Sequence, residues 1–294
     1  MKYVWGLIFL IFVTACEKAI SIQPETQKQV LVVDGTIENG QLPFIMLSTS
    51  LNYFSTINPE ILLASQVSNA KVTISDGSVT RILKEFKQSL GGGYNLVYYS
   101  DDSTNPGGAF RGEEGKTYQL TIDYNSNTYT SVTQIPRVVK TVDSLWWTPA
   151  PGNNPDTTNA VVMAKINDPA GYGNYIRYFT KVNRGQFLPG FNSVFDDQVV
   201  DGTVYDAQVD RGIVRDGIRN DEEYGYFKKG DTVTVKLANI DKATFDFWRT
   251  IEFGYQSVGN PFSSPTKVLG NISNGALGAF CGYGIQYKTL VIPR

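Results

Sequence analysis

The sequence predicts a mainly β protein: an N-terminal, Ig-like β-sandwich over residues 30–140, then a second mainly-β domain over residues 141–294 that carries one packed α-helix. Three observations predict this. Apolar and polar residues alternate in short runs, most cleanly in Thr117-Tyr118-Gln119-Leu120-Thr121-Ile122-Asp123-Tyr124, so one face of each run enters a core and the other meets water. Turn signals such as Asn39-Gly40 and Asp76-Gly77 punctuate the runs. A helical period is persuasive only once, after Asp241, where Phe245, Trp248, Ile251 and Tyr255 recur at spacings of three and four.

Taken in order, the chain opens with Lys2, an apolar run over residues 3–13, and Val13-Thr14-Ala15-Cys16. A charged start, a short apolar segment and small residues before a cut site describe a secretory signal over residues 1–15. Such a run rises only about 16 Å as a helix, half of a bilayer core, so it is a poor membrane span. Cys16 at the cut gives the stretch the form of a bacterial lipoprotein signal, with Cys16 the acylated residue carrying covalent lipid such as palmitate. Each buried methylene contributes about 0.8 kcal/mol, so two or three chains hold a protein durably on a membrane. Residues 16–29 are polar, contain Pro24 and show no period; they read as a tether from lipid to folded chain.

Folding starts near Val30. Val30-Leu31-Val32-Val33 and Thr36-Ile37 precede the turn at Asn39-Gly40, and Pro43-Phe44-Ile45-Met46-Leu47-Ser48 follows as a strand. Residues 50–68 read as a packed loop or a short helix near Pro59. Ala70-Lys71-Val72-Thr73-Ile74-Ser75 leads into Asp76-Gly77, with residues 79–86 returning along it as a hairpin. Residues 94–99 and 117–124 are strands, Asn125-Ser126-Asn127 turns the latter into residues 128–132, and residues 100–115 form a loop. In the second region Val142-Asp143-Ser144-Leu145-Trp146-Trp147 precedes a linker-like stretch at 148–155. Residues 160–167 and 175–183 read as a hairpin through Asp168-Pro169-Ala170-Gly171, and residues 232–240 as a strand before the helix, which Asp241 caps and Gly259-Asn260-Pro261 stops. A Gly-rich segment and a strand over residues 283–292 close the chain.

Composition excludes several function classes. A net charge of −2 with both signs mixed along the chain argues against nucleic acid as a partner. With Cys16 given to lipid, Cys281 is alone and no intramolecular disulfide forms. The chain has no histidine, which removes the usual general base, the commonest transition-metal ligand and every Ser-His or Cys-His nucleophile. The protein therefore reads as non-enzymatic.

Several stretches together resemble a family of Bacteroidota lipoproteins known as domain of unknown function 4249. They are Cys16, Val32-Val33-Asp34-Gly35, residues 67–74, Gly93-Tyr94, residues 115–120, Val142-Asp143-Ser144-Leu145, Asn167-Asp168-Pro169 with Asn174-Tyr175, and residues 271–280. The resemblance implies an accessory role beside a TonB-dependent outer-membrane receptor, with no substrate and no catalytic residues to carry over. It also implies an outer-membrane location, with Glu17 after the Cys favouring the cell surface and the periplasmic face left open.

Candidate sites are few. Asp196, Asp197 and Asp201, followed by Asp206 and Asp210, offer oxygen ligands suited to calcium. They lack the spacing of the twelve-residue helix-loop-helix calcium loop, and Arg211, Arg215 and Arg219 lie near enough to make an ion-paired, solvated loop instead. The adjacent Trp146 and Trp147 face opposite sides of a strand, so one of them is the candidate contact surface. The glycines at 275, 278, 282 and 284 precede no helix and read as close backbone approach rather than a phosphate cradle. The expected function is a receptor-accessory binding lipoprotein. A stand-alone glycan-binding or adhesion module and a carboxylate-dependent hydrolase are the alternatives.

Overall fold

A computed structural model describes residues 28–52, 55–104, 108–151, 158–214, 225–257, 260, 262 and 266–294. The signal, Cys16, most of the tether, Arg215, Arg219, Gly259 and Pro261 lie outside the described residues.

The protein is mainly β. Its first region contributes β1 (Leu31–Glu38), β2 (Phe44–Thr49), β3 (Lys71–Ser75), β4 (Thr80–Ile82), β5 (Lys84–Gly91), β6 (Tyr94–Ser100), β7 (Thr117–Tyr124) and β8 (Asn127–Gln134). The second contributes β9 (Thr141–Pro149), β10 (Asn159–Asn167), β11 (Tyr175–Val182), β12 (Leu188–Phe195), β13 (Val204–Val209), β14 (Phe227–Lys228), β15 (Thr232–Ile240) and β16 (Leu277–Val291). Among the described residues two helices accompany them, α1 (Pro59–Ala64) and α2 (Lys242–Gln256). Asn58 caps α1 by accepting from the Ile61 N–H at 2.8 Å, which decides for a helix near Pro59.

An eight-stranded sheet in the order β12-β11-β15-β16-β1-β2-β6-β5 runs through both regions. Its central join is a parallel pairing of β1 with β16, from Val32 beside Leu277 to Glu38 beside Tyr283. Alternation along β16 explains the layers. Phe280 points into a core with Val33, Ile37, Ile45, Val72, Leu120 and Ile122, under the small sheet β4-β3-β7-β8. Further along the same face lies a second core of Ala164, Ile166, Ile176, Val235 and Leu237, under the sheet formed by β10 with β9, β13 and β14. Ala279, Cys281 and Tyr283 point the other way, beneath α2. The result is two sandwiches side by side on one broad sheet, the second with a helical third layer.

Between the two cores, residues 134–136 cross β16 at its glycines. A Cβ on Gly282 would stand 2.3 Å from the Gln134 carbonyl oxygen, and one on Gly284 2.3 Å from that of Pro136. The Gly282 N–H donates to Thr133 Oγ1 at 2.8 Å, so the close approach is also a bonded one. Asp241 caps α2 by accepting from the Thr244 N–H at 2.8 Å. Its other oxygen accepts from Thr133 Oγ1 and the Gln134 N–H, both at 2.9 Å, and ties the helix to the same crossing.

Several sequence expectations are corrected. The segments 160–167 and 175–183 form no hairpin: β10 pairs β9, β13 and β14, while β11 pairs β12 and β15 in the facing sheet. Both strands bury one face, and burial against each other across the sandwich removes more apolar surface from water than edge pairing would. Residues 79–86 return along β3 only as far as Ile82; the chain changes sheet around the buried Leu83, and β5 pairs β6. Thr148 and Pro149 end β9 opposite Val161 and Ala160 instead of opening a linker. On α2 the packed side is Phe245, Phe247, Trp248 and Ile251, with Tyr255 at 38 % exposure on its border.

Candidate functional site

Small residues inside the second sandwich create its main feature. Ala164 on β10 sits directly opposite Ala207 on β13, and neither fills the space toward Ile176 and Tyr178 of β11 or Val235 and Leu237 of β15. The space left is a cavity of about 670 Å³. Its walls also take in Tyr205 and Val209 of β13, Val194 and Phe195 of β12, and Val199 and Val200 of the β12–β13 connection. The rim is apolar and exposed: Val199 at 94 %, Phe253 at 54 % and Phe195 at 45 %. Polar groups are few and gather toward α2, where Gln256 Nε2 donates to Asn192 Oδ1 and Arg249 lies 3.8 Å from Asp196.

Glu252, also on the cavity wall, is buried and accepts from both the N–H and the Oγ–H of Ser193. Ser193 Oγ accepts in turn from Arg177 Nε at 3.2 Å, and the Arg177 guanidinium stacks 3.4 Å from the Trp248 ring centre. Trp248 Nε1 and Arg177 Nη1 both donate to the Tyr283 hydroxyl, at 2.8 and 3.3 Å. These groups are satisfied by one another and fasten α2 to the sheet. Burial drives the Tyr283 phenol well above its ordinary range, so it stays a neutral acceptor and donor.

Behind the rim, the β10–β11 and β12–β13 connections are knitted by carboxylates. Asp197 Oδ2 accepts from the Gly173 and Asn174 N–H groups at 2.9 Å each, and Asp201 Oδ1 from the Gly171 N–H at 2.6 Å. Burial pushes Asp197 up, but the Asn174 and Gly173 donors outweigh it and hold the carboxyl below its usual value. Asp168 joins them: one oxygen from each of Asp168, Asp197 and Asp201 lies within 4.8 Å of the others. Asp168 and Lys140 are fully buried, with Lys140 Nζ 2.9 Å from Asp168 Oδ1. Lys140 also faces the Tyr205 ring at 5.7 Å, whose phenol is pushed up to about 12 by burial and by the Asp168 charge.

Of the predicted candidates, Asp197 and Asp201 are thus brought together, whereas Asp196 turns to Arg249 on the cavity rim. Asp168 and Lys140 were missed by sequence reasoning; Asn167-Asp168-Pro169 stood out only as part of a loop, and nothing local pairs Asp168 with a lysine at position 140. Trp147 lies opposite Val162 and packs on the second core, while Trp146 lies opposite Met163 on the other face of the sheet and is half-buried. Neither lines the cavity. Cys281 is buried and its thiol is pushed up to about 12 by that burial, so it is not a nucleophile at neutral pH.

Among the described residues no helix is long and apolar enough to cross a membrane. No curated protein matches the chain. The profile of one family does match, over residues 17–289, which takes in both sandwiches, the cavity and the carboxylate-knitted loops. The chain therefore belongs to the domain of unknown function family DUF4249.

Proposed function

We propose that this protein is a non-enzymatic binding lipoprotein of the outer membrane, anchored through Cys16. It takes an apolar small molecule into the cavity of the second sandwich and serves a TonB-dependent receptor. The observation that carries the binding role is the cavity itself: about 670 Å³, walled mainly by aliphatic and aromatic side chains and open at an apolar rim. That volume falls in the range of small-molecule sites, roughly 300–1,000 Å³, and a few polar groups at one end suit orientation of a ligand. Without histidine, and with Glu252 and Arg177 occupied in a structural network, the chain offers binding more readily than turnover.

The binding role is tested with a fluorescent fatty acid titrated into the folded chain. Ala207→Trp, which fills the space beside Ala164, is expected to weaken binding at least about tenfold, while Trp146→Ala on the outer face leaves it unchanged. Undiminished binding by a folded Ala207→Trp protein would remove the cavity as the site.

The accessory role is tested by pull-down from gently solubilised outer membranes. Wild type is expected to recover a TonB-dependent barrel, and Cys16→Ala to recover much less, because anchoring concentrates both partners in one membrane. Recovery of the lipidated protein alone would favour the second reading, a glycan-binding module. That reading draws on the aromatic stack of the first region, where Tyr98 lies 4.8 Å from Phe44 and 5.5 Å from Phe86 between ring centres.

A further inference from the structure

We propose that Asp168, Asp197 and Asp201 form a binding site for a divalent cation of the calcium type that clasps the β10–β11 and β12–β13 connections at the cavity rim. The carboxylate oxygens lie within 4.8 Å of one another. A calcium ion with oxygen ligands at about 2.3–2.6 Å spans such a set, since two of its ligands stand up to about 5 Å apart.

A second observation is independent of that spacing. Asp168 is only 2 % exposed, and among the described residues neither of its oxygens accepts a hydrogen bond. Lys140 Nζ is ion-paired with Oδ1 at 2.9 Å, and among the described residues Oδ2 has no hydrogen-bond partner. The ammonium offsets the charge at Oδ1, but the buried Oδ2 keeps idle lone pairs, and a buried oxygen of this kind is costly unless something positive or protic meets it. Charge leads to the same ligand. Three carboxylates against one ammonium leave two negative charges in a mostly buried pocket, the complement of one divalent ion.

The donor set selects the kind of ion. It is all oxygen, with no histidine in the chain and Cys281 buried with the residues under α2, so it suits a hard cation better than a zinc-type ion. The site is also preorganised, because the Gly171, Gly173 and Asn174 N–H groups already orient Asp201 and Asp197. Val199 and Val200, between two of the ligands in sequence, line the cavity. Cation binding therefore stiffens one wall of the cavity, yet it stands or falls apart from any ligand there.

The test uses the whole mature chain, stripped with EDTA, with calcium chloride as the probe. Calorimetry is expected to show one site, and 10 mM calcium to raise the melting temperature by about 5 °C. Asp201→Asn, at a half-buried ligand, is expected to weaken calcium binding at least tenfold; Asp196→Asn, outside the cluster, is expected to leave it unchanged. Absence of calcium binding by wild type at millimolar concentration overturns the proposal, whether or not the variants fold. So does a folded Asp201→Asn protein that binds calcium as wild type does.

Discussion

Lys140→Met is expected to lower the stability of the protein by about 3–5 kcal/mol in EDTA, the range for breaking a buried ion pair by removing one partner. The side chains of Lys140 and Asp168 have no exposed surface, and their charges lie 2.9 Å apart. Methionine has nearly the length of lysine, so packing beside the Tyr205 ring largely survives and the loss reports the charge. What remains is a buried carboxylate beside Asp197 and Asp201 without the ammonium that faced it. Urea unfolding followed by tryptophan fluorescence measures the change. A loss below about 1 kcal/mol would mean that the pair is hydrated and carries little of the fold. Recovery of most of the loss on adding calcium would tie the pair to the proposed cation site.

Gly282→Ala is expected to cost about 3 kcal/mol or more, at the upper end for an inserted methyl group, because the obstacle is backbone. The new Cβ would meet the Gln134 carbonyl oxygen at 2.3 Å and its carbon at 2.6 Å. Neither atom is the end of a flexible side chain, so β16 or the crossing segment has to shift, and the bond from the Gly282 N–H to Thr133 Oγ1 goes with it. Gly254→Ala is the control. It lies in α2 with nothing within 4 Å of an added methyl group, and alanine there is expected to stabilise by up to about 1 kcal/mol. Equal melting temperatures for Gly282→Ala and wild type would show that the crossing relaxes freely.

Local signals were legible where a single strand or helix turn produces them. The alternation of residues 117–124 is the alternation of buried Tyr118, Leu120 and Ile122 in β7. Asp241 caps α2 as its side-chain chemistry requires. The glycines at 282 and 284 are places of close backbone approach, as their position in an apolar strand implied. Trp146 and Trp147 do face opposite ways, although a bulge between Ser144 and Val142 is needed to put Val142, Leu145 and Trp147 on one core face.

Strand partners were harder, because period and turn chemistry describe one strand at a time. Asp168-Pro169-Ala170-Gly171 has the composition of a hairpin turn, yet the strands on either side enter facing sheets. The two connections are then closed on each other by Asp197 and Asp201. Similarly, Val79 to Phe86 reads as one returning strand, and only burial of Leu83 divides it between two sheets.

The class of fold, most strand positions, the helix with its cap, the inert thiol and the absence of histidine chemistry are all local properties. All of these follow from residue type and spacing within a few positions of one another. The tertiary structure alone decided that β1 lies parallel to β16, so that one sheet serves both sandwiches. It alone decided that Ala164 and Ala207, side by side in one sheet, leave an open space toward β11 and β15, and that Lys140, Asp168, Asp197 and Asp201 meet behind its rim. The physical reason is the same in each case. Burial, charge pairing and cavity formation depend on which surfaces face each other, and residues far apart in the chain meet only once the sheets have packed.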